Sequence, residues 1–121
     1  MKKTILIVDD SESIRDLVKF TLENEGHDVL IGVDGVDAQK HLNGQVIDLV
    51  ITDLHMPELD GIGLIRVIRK MEIYSRIPIL FLTTESQNEK KLEAKDAGAT
   101  GWIIKPFVPE KLIAAINKVI R

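Results

Sequence analysis

Residues 47–61 read IDLVITDLHMPELDG, and this stretch decides the fold. From Ile47 to Thr52 nearly every residue is apolar, as expected of a strand covered on both faces of a sheet. Asp53 follows at once. Residues 54–60 form a loop holding Pro57, and an Asp60-Gly61 turn opens a helix that carries Leu64, Ile65 and Ile68. The order is strand, acidic residue, loop, helix.

Outward from this stretch the order recurs. TILIV, residues 4–8, is a first strand, followed by Asp9 and Asp10. Over 12–25, Ile14, Leu17, Val18 and Leu22 fall at helical spacing, and Gly26 stops the helix. DVLIG, residues 28–32, is a short second strand, and Asp34-Gly35 turns into a second helix. A fourth strand covers Ile77 to Leu82 and meets Thr83 and Thr84 at its end. Residues 86–97 read as a fourth helix. GWII, residues 101–104, is a fifth strand that ends at Lys105. A fifth helix begins near Pro109, a good first-turn residue, and buries Leu112, Ile113, Ile116 and Val119. Five strand-helix units argue for an α/β fold with a parallel sheet covered by helices on both faces. A chain of 121 residues suits an open (βα)5 three-layer sandwich, since a barrel takes roughly 250.

The fourth helix stands apart. Between Ser86 and Ala97 its only apolar residues are Leu92, Ala94 and Ala97. With so little to bury, it belongs at the low-stability end of the fold. It reads either as an ordinary solvated helix or as a movable, partner-binding element.

Composition narrows the classes. At 121 residues and 45% hydrophobic content the chain reads as one domain, 1–121, that needs no staples. The absence of cysteine excludes disulfides and thiolate metal sites. Two lysines precede the first apolar run, which is too short for a signal-peptide core or a membrane span. A cytoplasmic protein with no membrane insertion is expected. The net charge of −3 does not favour nucleic acid as a partner. The 3 histidines lack the short spacing of a zinc site.

In parallel α/β sheets the C-terminal strand ends gather along one edge, where ligands bind. Asp9, Asp10, Asp53, Thr83 and Lys105 all stand there. Three carboxylates, a hydroxyl and an ammonium suit a divalent cation and a phosphoryl group. Mg2+ takes hard oxygen ligands, typically one or two carboxylates beside phosphate oxygens. For the acids to meet, the first strand must neighbour the third; the order 2-1-3-4-5, borrowed from known open α/β folds, provides this. The plain alternative is that one of the adjacent aspartates caps the first helix. Lys105 precedes Pro106, which biases it toward extended backbone, and that peptide bond can be cis at modest cost. Lys is a compact charge suited to a phosphate oxygen. Asp53 is the candidate nucleophile, because carboxylates form acyl-phosphates.

ILIVDD, VITDLHMPELDG, LFLTTE and AGATGWIIKPF appear together in one order and approximate spacing. With these motifs the whole chain, 1–121, resembles a response-regulator receiver domain of two-component signalling, of the stand-alone CheY-like kind. The resemblance implies a flavodoxin-like fold and a phosphoryl group accepted by Asp53 from a histidine kinase. It implies Mg2+, for which Mn2+ can substitute, held by Asp9, Asp10, Asp53 and the His55 backbone carbonyl. Thr83, Thr84 and Lys105 would bind the phosphoryl oxygens. Thr83 would swing toward the phosphate, and Trp102 would act as the aromatic switch. The output face would be the fourth helix, fifth strand and fifth helix. His55 and Glu85 would tune the lifetime of the phosphorylated form.

The leading expectation is a signalling switch that catalyses only its own phosphorylation and dephosphorylation, without an appended DNA-binding domain. Its downstream partner would be a motor switch protein, as in chemotaxis, or a phosphotransfer protein if it is a phosphorelay intermediate or phosphate sink. A Mg2+-dependent phosphatase acting on small substrates would want a second acid where His55 stands, and a cap domain. A flavodoxin-like cofactor binder would want a Ser-, Thr- and Gly-rich loop where DDSES stands.

Overall fold

The apolar runs form strands β1 (Thr4–Val8), β2 (Asp28–Gly32), β3 (Leu49–Thr52), β4 (Ile79–Thr83) and β5 (Gly101–Ile104) in the computed structural model, which describes residues 2–84 and 87–120. They pair in parallel in the order β2-β1-β3-β4-β5. Between and after them run helices α1 (Glu12–Asn24), α2 (Gly35–Ala38), α3 (Gly61–Lys70), α4 (Asn88–Ala97) and α5 (Pro109–Val119). This is the flavodoxin-like (βα)5 sandwich.

Alternation along the strands builds two cores, because successive side chains leave a strand on opposite faces. Leu6, Val8, Val50, Ile79 and Phe81 meet α2, α3 and the single buried Ala94 of α4. Ile5, Ile7, Leu49, Ile51, Leu80 and Leu82 meet α1 and α5 through Val18, Leu22, Leu112 and Ile116.

Several boundaries move from their expected places. β3 begins at Leu49, not Ile47. Asp48 instead ties the chain to the start of β1: its N–H donates to the Thr4 carbonyl at 2.8 Å, and its carboxylate accepts the Thr4 N–H at 2.9 Å. β4 begins at Ile79, not Ile77, because Pro78 has no N–H for the ladder. It runs through Thr83, which pairs in register with Ile104. α2 is one turn, continued by a 3-10 turn over Gln39–His41. The fourth helix is described from Asn88; Ser86 lies outside the described residues. Leu17 is 38% exposed, since α1 turns Val18, Thr21 and Leu22 inward. Ile113 and Val119 are only half-buried, while Leu112 and Ile116 are fully covered.

One polar junction holds the end of α4. Arg69, at the end of α3, donates to the Gly98 carbonyl from Nε at 3.2 Å and from Nη2 at 2.7 Å. Its Nη1 donates to the carbonyls of Ile77 at 2.7 Å, Ser75 at 3.1 Å and Tyr74 at 3.4 Å. Gly98 takes the left-handed conformation that ends α4, with φ 114, and an added Cβ would meet Arg69 Nε at 2.8 Å. Among the described residues no helix is long and apolar enough to cross a membrane.

Candidate functional site

The register of β1 and β3 sets Val8 beside Thr52. The next residues, Asp9 and Asp53, therefore leave the sheet edge side by side, and the Asp53 N–H donates to the Val8 carbonyl at 2.9 Å. One oxygen each from Asp9, Asp10 and Asp53 lies within 4.8 Å of the others. Lys105, the residue after β5, reaches into this group. Its ammonium donates to Asp9 Oδ2 at 2.7 Å and to Asp53 Oδ2 at 3.2 Å. The Lys105-Pro106 peptide bond is cis.

The three acids are held unequally. Asp9 is fully buried; its Oδ1 accepts the Ser11 N–H at 2.9 Å and its backbone carbonyl accepts Arg15 Nη1 at 2.7 Å. Asp53 keeps a side chain 12% exposed, with Oδ1 accepting the Leu54 N–H at 2.7 Å. Asp10 is exposed, and among the described residues its carboxylate makes no hydrogen bond or ion pair. Neither Asp9 nor Asp10 caps α1. Ser11 does, accepting the Ile14 N–H at 3.4 Å.

Three carboxylates face one ammonium, so negative charge is in excess. Burial pushes the Asp9 carboxyl above the ordinary 3.8, against the Lys105 hydrogen bond and the Ser11 amide that act to lower it. Burial acts to lower the Lys105 ammonium, yet the hydrogen bonds and charges of Asp9 and Asp53 outweigh it and leave the ammonium above 10.5. Burial leads at Asp9 and the neighbouring carboxylates at Lys105, while the cluster as a whole remains short of positive charge. A hard divalent cation with oxygen ligands fits that deficit and that donor set.

The loop after Asp53 is shaped by close approach. A Cβ on Gly61 would fall 2.3 Å from the Asp53 carbonyl and 2.5 Å from Phe81 Cε1, so only glycine lets α3 start so near the site. The Gly61 N–H donates to the Leu54 carbonyl at 2.9 Å, and Asp60 caps α3 by accepting the Gly63 N–H at 2.8 Å. Thr52 Oγ1 donates to the Asp53 carbonyl at 2.9 Å.

The remaining expected residues divide. Thr83 is fully buried at the end of β4, while Thr84 and His55 are exposed. Glu85 lies outside the described residues. Trp102 is half-buried on β5, its ring centroid 5.3 Å from that of Phe81 with the planes at 49°, and Lys91 Nζ of α4 sits 5.7 Å from its centroid. Sequence reading passed over Ser11, Arg15, Phe81 and Lys91. Ser11 had a local signal, since Ser is a strong N-cap residue. The other three had none, because their contacts join positions remote in the chain or hidden in helical periodicity.

Residues 5–117 match the response regulator receiver domain. The chain belongs to this family. It is 36% identical over 121 residues to the alkaline phosphatase synthesis transcriptional regulatory protein PhoP of Bacillus subtilis, covering 100% of this chain and 50% of that protein. The receiver chain thus spans about half the length of several curated relatives it matches. It is also 36% identical over 118 residues to the chemotaxis protein CheY homolog of Campylobacter jejuni, covering 96% of this chain and 91% of the homolog. The structure of Vibrio cholerae chemotaxis protein CheY4 superposes with a TM-score of 0.95 at 40% identity, covering 99% of this receiver and 100% of that chain. The receiver family comprises signalling switches that work with a histidine kinase and a downstream target. Receiver domains bind Mg2+ at an acidic aspartate cluster, and Asp9, Asp10 and Asp53 form a group of that kind in this chain.

Proposed function

We propose that this receiver is a phosphorylation-activated switch in which Asp53 accepts a phosphoryl group from a histidine kinase. The observation that carries the reading is the convergence of Asp9, Asp10 and Asp53 with Lys105 bridging two of them. Asp9, Asp10, Asp53 and the His55 backbone carbonyl would hold Mg2+, or Mn2+ in its place. The ion would supply positive charge for the phosphoryl oxygens. An oxygen of the Asp53 carboxylate attacks phosphorus, the P–N bond of the phosphohistidine breaks, and its electron pair stays on the imidazole nitrogen. The new acyl-phosphate carries roughly one further negative charge, which Lys105 is placed to meet by exchanging its bonds to Asp9 and Asp53. Thr83, with Thr84, would take the remaining phosphoryl oxygens.

Output would leave through α4, β5 and α5. Thr83 sits at the end of β4, Phe81 two residues earlier touches Trp102, and Trp102 touches Lys91 of α4. A displacement of Thr83 toward a phosphate would bias this chain of contacts as a population shift. His55 and Glu85 would set the lifetime of the phosphorylated form. The likeness to chemotaxis proteins over nearly their full length supports a motor-type protein target in the cytoplasm.

Asp53→Asn tests the centre of this reading: labelling by acetyl phosphate in Mg2+ should disappear, and labelling at the wild-type level would remove Asp53 as acceptor. Phosphorylation-dependent binding to a motor switch protein would support the chemotaxis assignment. Onward transfer to a histidine phosphotransfer protein would replace that assignment with a phosphorelay intermediate or phosphate sink.

A further inference from the structure

Two of the three acids are aimed by the protein and one is not. Asp9 is fixed at its carbonyl and both carboxylate oxygens, and Asp53 at both carboxylate oxygens. Asp10 has only its backbone to direct it. The Asp9–Asp10 peptide is the last link before that side chain, and its orientation is set by where the Asp9 carbonyl points. This carbonyl stands just past the end of β1 and accepts Arg15 Nη1 at 2.7 Å. The guanidinium reaches it from α1, whose backbone is anchored to the same loop by the Arg15 N–H donating to the Ser11 carbonyl at 3.0 Å. Among the described residues Arg15 makes no ion pair, so its one side-chain hydrogen bond is spent on this peptide.

We propose that Arg15 is a positioning residue for the cation site: by holding the Asp9–Asp10 peptide it fixes the direction from which the Asp10 carboxylate meets the ion. This rests on the reading of Asp9, Asp10 and Asp53 as Mg2+ ligands. Two effects of Arg15 oppose each other. Its positive charge repels a divalent ion, so deleting it by charge alone would tighten binding. Its hydrogen bond preorganises Asp10, so deleting it by geometry would weaken binding. Arg15 is half-exposed, where charge is screened by solvent, whereas the hydrogen bond is short and direct. Geometry wins.

The test is Mn2+ uptake by the full chain, with free ion counted by electron paramagnetic resonance and folding checked by thermal unfolding in EDTA. Arg15→Met should weaken Mn2+ binding roughly 10-fold, the low end for removing an outer partner of a metal ligand. Arg15→Lys, which keeps one long-armed donor, should restore most of it. In an Asp10→Asn background Arg15→Met should change affinity little, because the carboxylate it aims is gone. If Arg15→Met does not fold, Arg15→Gln carries the same comparison. Unchanged or tighter Mn2+ binding in Arg15→Met would overturn the proposal, as would an equal loss in the Asp10→Asn background. Absence of uptake by the wild type would overturn the cation-site reading and this inference with it; normal wild-type uptake isolates the failure to Arg15.

Discussion

Helices α3 and α4 pack on the same face of the sheet and are each 10 residues long, yet they are held by different forces. α3 buries Gly61, Ile62, Leu64, Ile65 and Ile68. α4 buries Ala94 alone and leaves Leu92 62% exposed. Fully burying an aliphatic side chain contributes about 1.5–3 kcal/mol, so α3 is secured by its own apolar face. α4 depends on polar attachments: Gly98 to Arg69, Glu93 to Arg66 at 4.0 Å, and Lys91 over Trp102 at 5.7 Å. Surface ion pairs of this kind contribute little. The difference teaches where a switch can be built. The element beside Asp53 must stay fixed, because its first residue, Gly61, packs directly on the Asp53 carbonyl. The element beside Trp102 can shift at small cost.

The largest expected effect comes from the α3 core. Ile65→Ala should destabilise by about 2–5 kcal/mol, whereas Leu92→Ala on α4 should fall within about 0.5 kcal/mol. Urea unfolding measures both, and similar losses would break the contrast. Next comes the junction that both helices share. Arg69→Met strips a donor set from the carbonyls of Gly98, Ile77, Ser75 and Tyr74. It should cost about 1–3 kcal/mol and speed hydrogen exchange in α4 more than in α3. Equal acceleration in the two helices would show that α4 is not the more loosely held. The smallest effect is at Lys91. Lys91→Ala removes a cation from the Trp102 ring, worth about 0.5–1 kcal/mol at an exposed site, and should red-shift Trp102 emission. Emission identical to wild type would mean that Lys91 leaves the indole environment untouched. If α4 reports phosphorylation, beryllofluoride with Mg2+ should change Trp102 fluorescence in the wild type, and no response would remove Trp102 from the switch.

The candidate site was legible where its residues stand at strand ends. Asp9, Asp53, Thr83 and Lys105 each follow or finish an apolar run, and runs of that kind can be seen in one dimension. The boundaries of β3 and β4 were less legible. Asp48 bonds to Thr4, and Pro78 interrupts the ladder, both consequences of pairing with another strand. Leu17 falls at helical spacing yet is 38% exposed, because spacing alone does not say which side of a wide apolar stripe faces the sheet.

By itself the sequence determined the alternation of strands and helices, the poverty of α4 and the identities of the acids, because hydrophobic periodicity and residue chemistry are local. Tertiary structure alone decided that Lys105 bridges Asp9 and Asp53 across 96 and 52 residues of chain. It decided too that Arg69 of α3 holds the Gly98 carbonyl at the end of α4, 29 residues away. Such contacts depend on strand order and register, and a hydrogen bond extends only about 3 Å. No local pattern records which distant donor arrives within that reach.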